Sequence, residues 1–261
     1  MYKKGTNVAL HRVEQSDEYQ GFKSDIKKGL TAQIESIADY HSTIPTLMML
    51  AKGASEPLLN QVGALLSKIS LDNFVDMSAY LVFAGSQGGQ AFLDKLEITS
   101  IFGLTNPKLI EYFGNYSNLT IDTVDNYTKE WIAGKIQEGK DQGLSPFQIQ
   151  QSLIDDGKNI TAIRAERIVL TETAHAMGVI EQESALRMGI REEIWRTSLD
   201  ERVCPICGPL EGQKVDTGKG FTHPESGVVY MYYPAHVSCR CYIEHVIPDD
   251  FVIPAKVWLG E

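Results

Sequence analysis

The cysteines of this 261-residue chain are confined to its C-terminal quarter, and this clustering limits the fold of that region more than any other feature. Cys204 and Cys207 form a C-x2-C pair, and after a long excursion His236, Cys239 and Cys241 form an H-x2-C-x-C group. Structural zinc sites bring together four Cys or His ligands, often as two sequence pairs. A small tail with few large apolar side chains needs such a staple in order to fold. The spacing therefore predicts a structural zinc site, or another Cys/His clamp, in the tail.

The tail offers more candidate ligands than a tetrahedral site needs. Cys204, Cys207 and His236 are the first choices. Cys239 and Cys241 compete for the fourth place, because residues two apart in an extended segment point to the same side. A pair of disulfides, or reduced thiols that only pack, are the alternatives. In a reducing cytosol the metal site is favoured over disulfides.

Composition and charge indicate a globular chain and exclude some functions. Hydrophobic residues make up 43% and charged residues 22%, so a sizeable core can be buried. The formal net charge of -10 repels a phosphate backbone and argues against a simple sequence-reading DNA binder. No run approaches the roughly 18–20 apolar residues of a membrane span, and the segment from Met1 to Val13 lacks the apolar core of a secretory signal. We therefore expect the chain to be made in a cytoplasm.

Helical periodicity dominates the chain up to the region of Gly189. The pattern predicts helices over residues 25–40, 56–69, 71–96, 120–138, 145–156 and 161–187. Ser145 and Gln148 can form a capping box around Pro146 at the start of the fifth segment, which should end near Gly157. Thr161 should then cap the last and longest helix.

Two stretches of these helices carry further expectations. The glycines from Gly85 to Gly89 are costly inside a helix, so they predict either a break or a tight helix contact. On the last helix, Arg164, Arg167, Thr171 and His175 fall on one polar arc, with Ile163 and other apolar residues opposite. We expect Arg164 and Arg167 to be solvated and His175 to be solvated or at a domain contact.

The tail is predicted to be β-rich. Residues 193–197, 228–233 and 242–246 have the composition of short strands, separated by a glycine-bearing loop. Trp195 is expected in the core, and His223 and His245 are expected to be surface or packed residues rather than ligands. The chain is therefore predicted to be α+β, with a mostly helical N-terminal two-thirds and a small β-rich, Cys/His-clamped C-terminal module.

From about residue 120 to 245 the sequence resembles the phage Mu F-like minor head proteins, also called head morphogenesis proteins. The family signature contains a helix with an arginine and a Thr-Glu pair, a Gly followed by a Trp, an Asp-x-Arg-x-Cys-x-x-Cys stretch, a Gly-bearing loop and a closing His-x-x-Cys-Arg-Cys. These positions are Arg164, Thr171, Glu172, Gly189, Trp195, Asp200, Arg202, Cys204, Cys207, Gly212, His236, Cys239, Arg240 and Cys241.

The resemblance implies a domain order and a role in the virion. It suggests a helical N-terminal region (1–118), the helical part of a Mu F-like domain (119–190), the β-rich metal-binding module (191–247) and a tail (248–261). Such proteins are not enzymes. They occur in a few copies inside the capsid near the portal, are made in the host cytoplasm with the portal and scaffold proteins, and act in head assembly; some assist DNA packaging or delivery.

Two other functions are compatible with the tail. A metal-dependent nuclease of the treble-clef type would need His223 or His245 as a general base. A zinc-ribbon module that binds nucleic acid would depend on the few basic residues near the clamp, which are Arg202, Lys214, Lys219 and Arg240.

Overall fold

A computed structural model describes residues 8–38, 43–51, 56–198 and 203–261. The described residues form seven helices followed by five strands. The helices are α1 (Val8–Glu14), α2 (Asp17–Ala38), α3 (Thr43–Leu50), α4 (Glu56–Leu66), α5 (Met77–Lys95), α6 (Pro107–Asp141) and α7 (Pro146–Arg187). The strands are β1 (Glu192–Arg196), β2 (Lys214–Asp216), β3 (Phe221–Thr222), β4 (Val229–Tyr230) and β5 (Tyr242–Val246). The predicted α+β class, with a helical first part and a small β-rich Cys/His module, is confirmed.

The described residues fall into two compact units. The first unit comprises the described parts of Met1–Tyr19, Ser78–Gly114 and Arg167–Glu261, and the second those of Gln20–Met77 and Asn115–Glu166. Among the residues that the structure describes, no helix has the length and apolar character needed to cross a membrane. The four-part division expected from the family resemblance stays a prediction.

The second unit is a helical assembly with an aliphatic core. Its buried residues include Ile34, Ile37, Ile44, Leu47, Leu58, Val62, Leu66, Ile132, Ile136, Ile149 and Leu153. A partly buried polar contact lies in the same unit, where the Asp125 carboxylate accepts hydrogen bonds from the Gln33 amide and the Ser70 hydroxyl, both at 2.6 Å. These contacts join α2 and the segment after α4 to α6.

Helix α7 begins as predicted but continues through its predicted end. The Gln148 amide N–H lies 3.3 Å from the Ser145 Oγ, and the Gln148 side chain accepts from the Ser145 N–H at 2.9 Å, so the capping box is present. The expected end near Gly157 and the expected cap at Thr161 are wrong. A Cβ at Gly157 would lie 3.0 Å from Ile34 Cγ2, so this glycine allows close packing of α2 rather than ending the helix. Thr161 is buried within α7.

The polar arc predicted for α7 is partly wrong. Arg167 is exposed as expected, but Arg164 is buried and Ile163 is 54% exposed. The Arg164 guanidinium donates to the Val124 carbonyl at 3.3 Å and to Thr128 Oγ1 at 3.0 Å. Because α6 offers polar acceptors at this point, the Arg164 side chain is buried rather than solvated.

The glycine run in α5 is a tight helix contact, not a break. Helix α5 is continuous through it. A Cβ at Gly88 would lie 2.7 Å from Met177 Cα and 2.8 Å from Met177 O, which are backbone atoms of α7. The absence of a side chain at Gly88 therefore sets the approach of α5 and α7 within the first unit.

The tail contains two small antiparallel sheets. The first has the order β2-β1-β5, with Glu193 opposite His245 and Trp195 opposite Ile243. The second pairs β3 with β4. The predicted segment 242–246 coincides with β5, and β1 starts one residue before the predicted segment 193–197, but only Val229–Tyr230 of the predicted segment 228–233 is a strand. Strands β2 and β3 were not predicted, because three and two residues are too few to show an alternating pattern.

Candidate metal centre

Two tight turns, each closed by a hydrogen bond between residues three apart, present the candidate ligands. In the first, the Cys207 N–H donates to the Cys204 carbonyl at 3.1 Å and lies 3.4 Å from the Cys204 Sγ. In the second, the Cys239 N–H donates to the His236 carbonyl, also at 3.1 Å. The second turn contains Ser238 in the left-handed region, with φ 60°. Each turn thus places two donor side chains three residues apart at one end of the β module.

The turns bring the predicted ligands into one cluster. The His236 Nε2 lies 3.0 Å from Cys204 Sγ and 3.2 Å from Cys207 Sγ, and Cys207 Sγ lies 3.6 Å from Cys239 Sγ. The donor atoms of Cys204, Cys207 and His236 are within 4.8 Å of one another, and so are those of Cys207, Cys239 and Cys241. Cys207 therefore links two overlapping groups, either of which could contribute to a metal site.

The cysteines are free thiols, so the disulfide alternative does not describe this structure. The 3.6 Å between the sulfurs of Cys207 and Cys239 is far longer than the ~2.05 Å of a disulfide bond. Hydrogen bonds from the thiols of Cys207 and Cys241 hold the pKa of Cys239 well below its usual range. The same hydrogen bond to Cys239 raises the pKa of Cys207. Cys239 is thus the cysteine of the cluster whose surroundings favour the thiolate, the form that binds a metal.

The orientation of His236 fits a zinc ligand. Its Nδ1 lies 2.9 Å from the carbonyl oxygen of Val237. Since a carbonyl can only accept, Nδ1 carries the proton, and the lone pair of Nε2 is directed towards the thiols. Metal-bound histidines usually donate their second ring N–H to such an acceptor. Zinc held by thiolates and this imidazole would supply folding free energy to the tail.

A small pocket borders the cluster. It has a volume of about 30 Å³ and is lined by Ser198, Val203, Cys204, Cys207, His236, Ser238, Arg240 and Cys241. This volume is of the order of a single water molecule. It suits an ion held by protein ligands and is too small for a nucleotide.

Thr171, from the Thr-Glu pair, connects α7 to the second turn. Its Oγ1 accepts a hydrogen bond from the Ser238 N–H at 3.2 Å. Ser238 is the left-handed residue between His236 and Cys239, so the contact fixes the backbone that orients both ligands. Glu172, the second residue of the pair, is buried.

His175, one turn further along α7, is packed rather than solvated. Its Nε2 lies 3.0 Å from the Tyr112 hydroxyl, and its ring meets the Tyr232 ring edge-on with centroids 5.9 Å apart. Burial lowers the pKa of His175 to about 4. The expectation of a solvated side chain is therefore wrong, because aromatic residues far apart in sequence cover this face of the helix.

Trp195 lies in the core of the module, as predicted. It is fully buried, and its ring meets that of Phe221 at 67° with centroids 5.3 Å apart. Behind it in the same sheet, the buried Glu193 accepts hydrogen bonds from the Gln182 amide and the Gly218 N–H, both at 3.2 Å. Sequence reasoning missed this polar network. The signal was Glu193 itself, which shares the inward face of β1 with Trp195 because the two are two residues apart.

The two other tail histidines are packed, in agreement with the sequence expectation. His223 Nδ1 accepts from the N–H groups of Ser226 at 3.2 Å and Glu225 at 3.3 Å, and its Nε2 lies 3.5 Å from the Pro205 carbonyl. It therefore ties the loop after β3 to the first ligand turn. The His245 side chain is buried, with its ring edge-on to Phe92 at a centroid distance of 5.6 Å.

The remaining motif residues are not candidate metal ligands. Arg240 is exposed at the rim of the small pocket. Arg164 belongs to the second unit, where it bonds to α6. The predictions for Asp200 and Arg202 fall outside the described residues.

The fold and the site define a mostly helical protein with a small C-terminal β module closed around a Cys/His cluster. Residues 130–244 match the model of the family described as Phage Mu protein F like protein. The match includes α7 and the whole cluster, so the resemblance predicted from the motif is confirmed. Curated proteins and solved structures gave no match. The similarity to this family points to a role in phage head morphogenesis.

Proposed function

We propose that this protein is a non-enzymatic minor head protein of a tailed bacteriophage that acts in head assembly inside the capsid, next to the portal. The observation that carries the proposal is the coincidence of the family match with α7 and the Cys/His cluster. Several copies would assemble with the portal and scaffold proteins in the host cytoplasm and remain in the virion. Its contribution to DNA packaging or delivery would be made through the portal.

In this proposal the metal acts as a structural staple. The strands of the module have five residues or fewer, and isolated strands this short are not stable in water. An ion that joins the two ligand turns would fix the loops between them and let the module present a rigid docking surface. The exposed apolar side chains of Val228, Val229 and Met231 on that surface suit contact with another head protein.

The positions of the spare histidines support a non-enzymatic role. Both ring nitrogens of His223 face backbone groups of the module. The His245 side chain is only 2% exposed, so it cannot reach a substrate. A general base must lie within hydrogen-bond reach of the proton that it removes.

Charge gives little support for direct DNA binding by the module. Lys214 is paired with Glu192 at 2.7 Å, and the chain as a whole has a formal charge of -10. Nucleic-acid-binding surfaces instead concentrate unpaired basic residues. We therefore favour protein contacts over phosphate contacts.

Co-purification with the portal protein encoded by the same phage tests the proposal. The tagged full chain and the portal should purify as one complex of fixed stoichiometry by native mass analysis. Cys204→Ser should weaken the complex, and Ile163→Ala, an exposed change outside the module, should not. The proposal fails if neither the portal nor the scaffold protein is retained. Plasmid cleavage with magnesium or manganese that is lost in His223→Ala or His245→Ala, but kept in Cys204→Ser, would identify a nuclease instead.

A further inference from the structure

We propose that the ion is held by Cys204, Cys207, His236 and Cys239, and that Cys241 is a buried neighbour rather than a ligand. The inference rests on the metal staple of the proposed function and assigns its ligands. In this assignment Cys239, and not Cys241, is the fourth ligand.

Both candidate ligand pairs lie on tight turns closed by the same kind of hydrogen bond, although only the second turn contains a left-handed residue. In each, the N–H of the last residue donates to the carbonyl of the first at 3.1 Å. Cys204 and Cys207 are the first and last residues of the first turn. His236 and Cys239 are the first and last residues of the second. Two such turns supply two donors each, which is the two-plus-two arrangement of structural zinc sites. Cys241 lies beyond the second turn, immediately before β5.

Backbone amides hold one sulfur of each turn. The Cys204 Sγ lies 3.4 Å from the Cys207 N–H. The Cys239 sulfur accepts hydrogen bonds from the backbone N–H groups of Cys241 and Ala235. The backbone thus fixes the position of one donor atom in each turn.

Cys241 continues the inward face of β5. It lies two residues before Ile243, and both are buried. Ile243 is the partner of Trp195 across the sheet. The core of the module therefore explains the place of Cys241, whereas Cys239, which is also buried, lies on the tight turn with His236.

One observation favours the competing assignment. Cys241, and not Cys239, borders the small pocket beside Cys204, Cys207 and His236. The pocket is also lined by Ser198, Val203 and Arg240, so it extends towards residues that are not donors. The turns and the backbone donors weigh more, because they orient the donor atoms themselves.

Metal titration of the full-length protein separates the two assignments. Zn(II) affinity is measured by chelator competition, and Co(II) absorption reports the number of bound thiolates. Cys239→Ala should lose more than about 100-fold in affinity, beyond the 10–100-fold that the loss of a supporting residue costs. Cys241→Ala should lose no more than the roughly 10–100-fold that a supporting residue costs, because its thiol donates to Cys239, and it should keep its full thiolate-to-cobalt band.

A ligand-preserving variant covers the risk that Cys239→Ala does not fold. Cys239→His should still bind Co(II), with the thiolate-to-cobalt band reduced by the share of one thiolate. The assignment is overturned if Cys241→Ala loses thiolate absorption or more affinity than Cys239→Ala, or if Cys239→Ala binds normally. If the unchanged protein binds neither ion, the staple itself is wrong, and the assignment with it, while portal co-purification still reports separately on the head role.

Discussion

At the scale of single residues, Thr171 shows how a helix can control a site to which it contributes no ligand. Its hydroxyl holds the Ser238 N–H at the one left-handed residue of the second ligand turn. That turn carries His236, whose imidazole is also oriented by the Val237 carbonyl. Thr171 of the Thr-Glu pair thus holds the backbone of the candidate metal centre.

Replacement of Thr171 by valine should therefore weaken metal binding without removing a donor atom. We expect zinc affinity to fall about 10–100-fold, the usual cost of losing a supporting residue, because the Ser238 N–H loses its acceptor. Thr171→Ser keeps the hydroxyl and should bind like the unchanged protein. Equal affinities for the valine and serine variants in chelator competition would show that the contact does not position the turn.

His245 and His175 make the stability of the first unit depend on pH. Burial lowers the pKa of His245 to about 3 and that of His175 to about 4, against an ordinary value near 6.5. Below pH 6.5 the unfolded chain binds protons that the folded chain excludes. Both histidines therefore contribute full stability above pH 6.5 and lose it as the pH falls. Burial raises the pKa of Glu181 and of Glu193. These two carboxyl groups therefore lower the free energy of unfolding as the pH rises, which is opposite to the effect of the histidines.

A variant of His245 isolates the contribution of this histidine to the pH dependence of the free energy of unfolding. In His245→Phe, the free energy of unfolding should fall less steeply between about pH 6.5 and 4, by up to about 1.4 kcal/mol per pH unit for one proton. Urea unfolding at several pH values measures the slope, and His11→Gln, a change at an exposed histidine, serves as the control. An unchanged slope in His245→Phe would mean that this histidine is protonated in the folded protein.

At the scale of secondary-structure elements, glycine has two different uses in the helices. Gly88 lies in α5 where the backbone of α7 at Met177 leaves no space for a methyl group. Gly134 lies in α6 with nothing within 4 Å of the position that a Cβ would take. The same residue type is thus required for packing at one place and is only a weak helix former at the other.

The substitution Gly88→Ala should destabilise the protein by about 1–3 kcal/mol, because the new methyl group meets immovable backbone atoms. The matched change Gly134→Ala should stabilise it by about 0.4–1 kcal/mol through helix propensity. Denaturant unfolding followed by far-UV circular dichroism gives both values. A neutral effect of Gly88→Ala would show that α5 and α7 are not in such close contact.

At the scale of the whole molecule, metal dependence should be confined to the tail. The aliphatic core of the second unit is built by α2, α3, α4, α6 and α7 and contains no residue of the Cys/His cluster. The strands of the module, by contrast, are too short to be stable unless the ligand turns hold the ends of the strands in place. Loss of the ion should therefore act on part of the chain.

Chelation, or the substitution Cys204→Ser, should unfold the region from about residue 195 to 247 and leave the helices before residue 190 folded. Limited proteolysis with mass analysis should find new cuts only in the tail, with most of the helical circular dichroism retained. Val237→Ser, a change at an exposed non-ligand position in the second turn, should behave like the unchanged protein. An unaltered cleavage pattern after chelation would refute the staple.

The sequence by itself determined the features that rest on local chemistry. The Ser145–Gln148 capping box, the strands that carry Trp195 and Ile243, and the ligand spacing of Cys204, Cys207 and His236 depend on neighbours in the chain, so they were predictable. Only the tertiary structure decided that Gly157 lies inside a helix, because the reason is Ile34 on another helix. It alone decided that Arg164 is buried, since Val124 and Thr128 supply the acceptors. It alone linked Thr171 to Ser238, because packing joins residues that no local pattern connects.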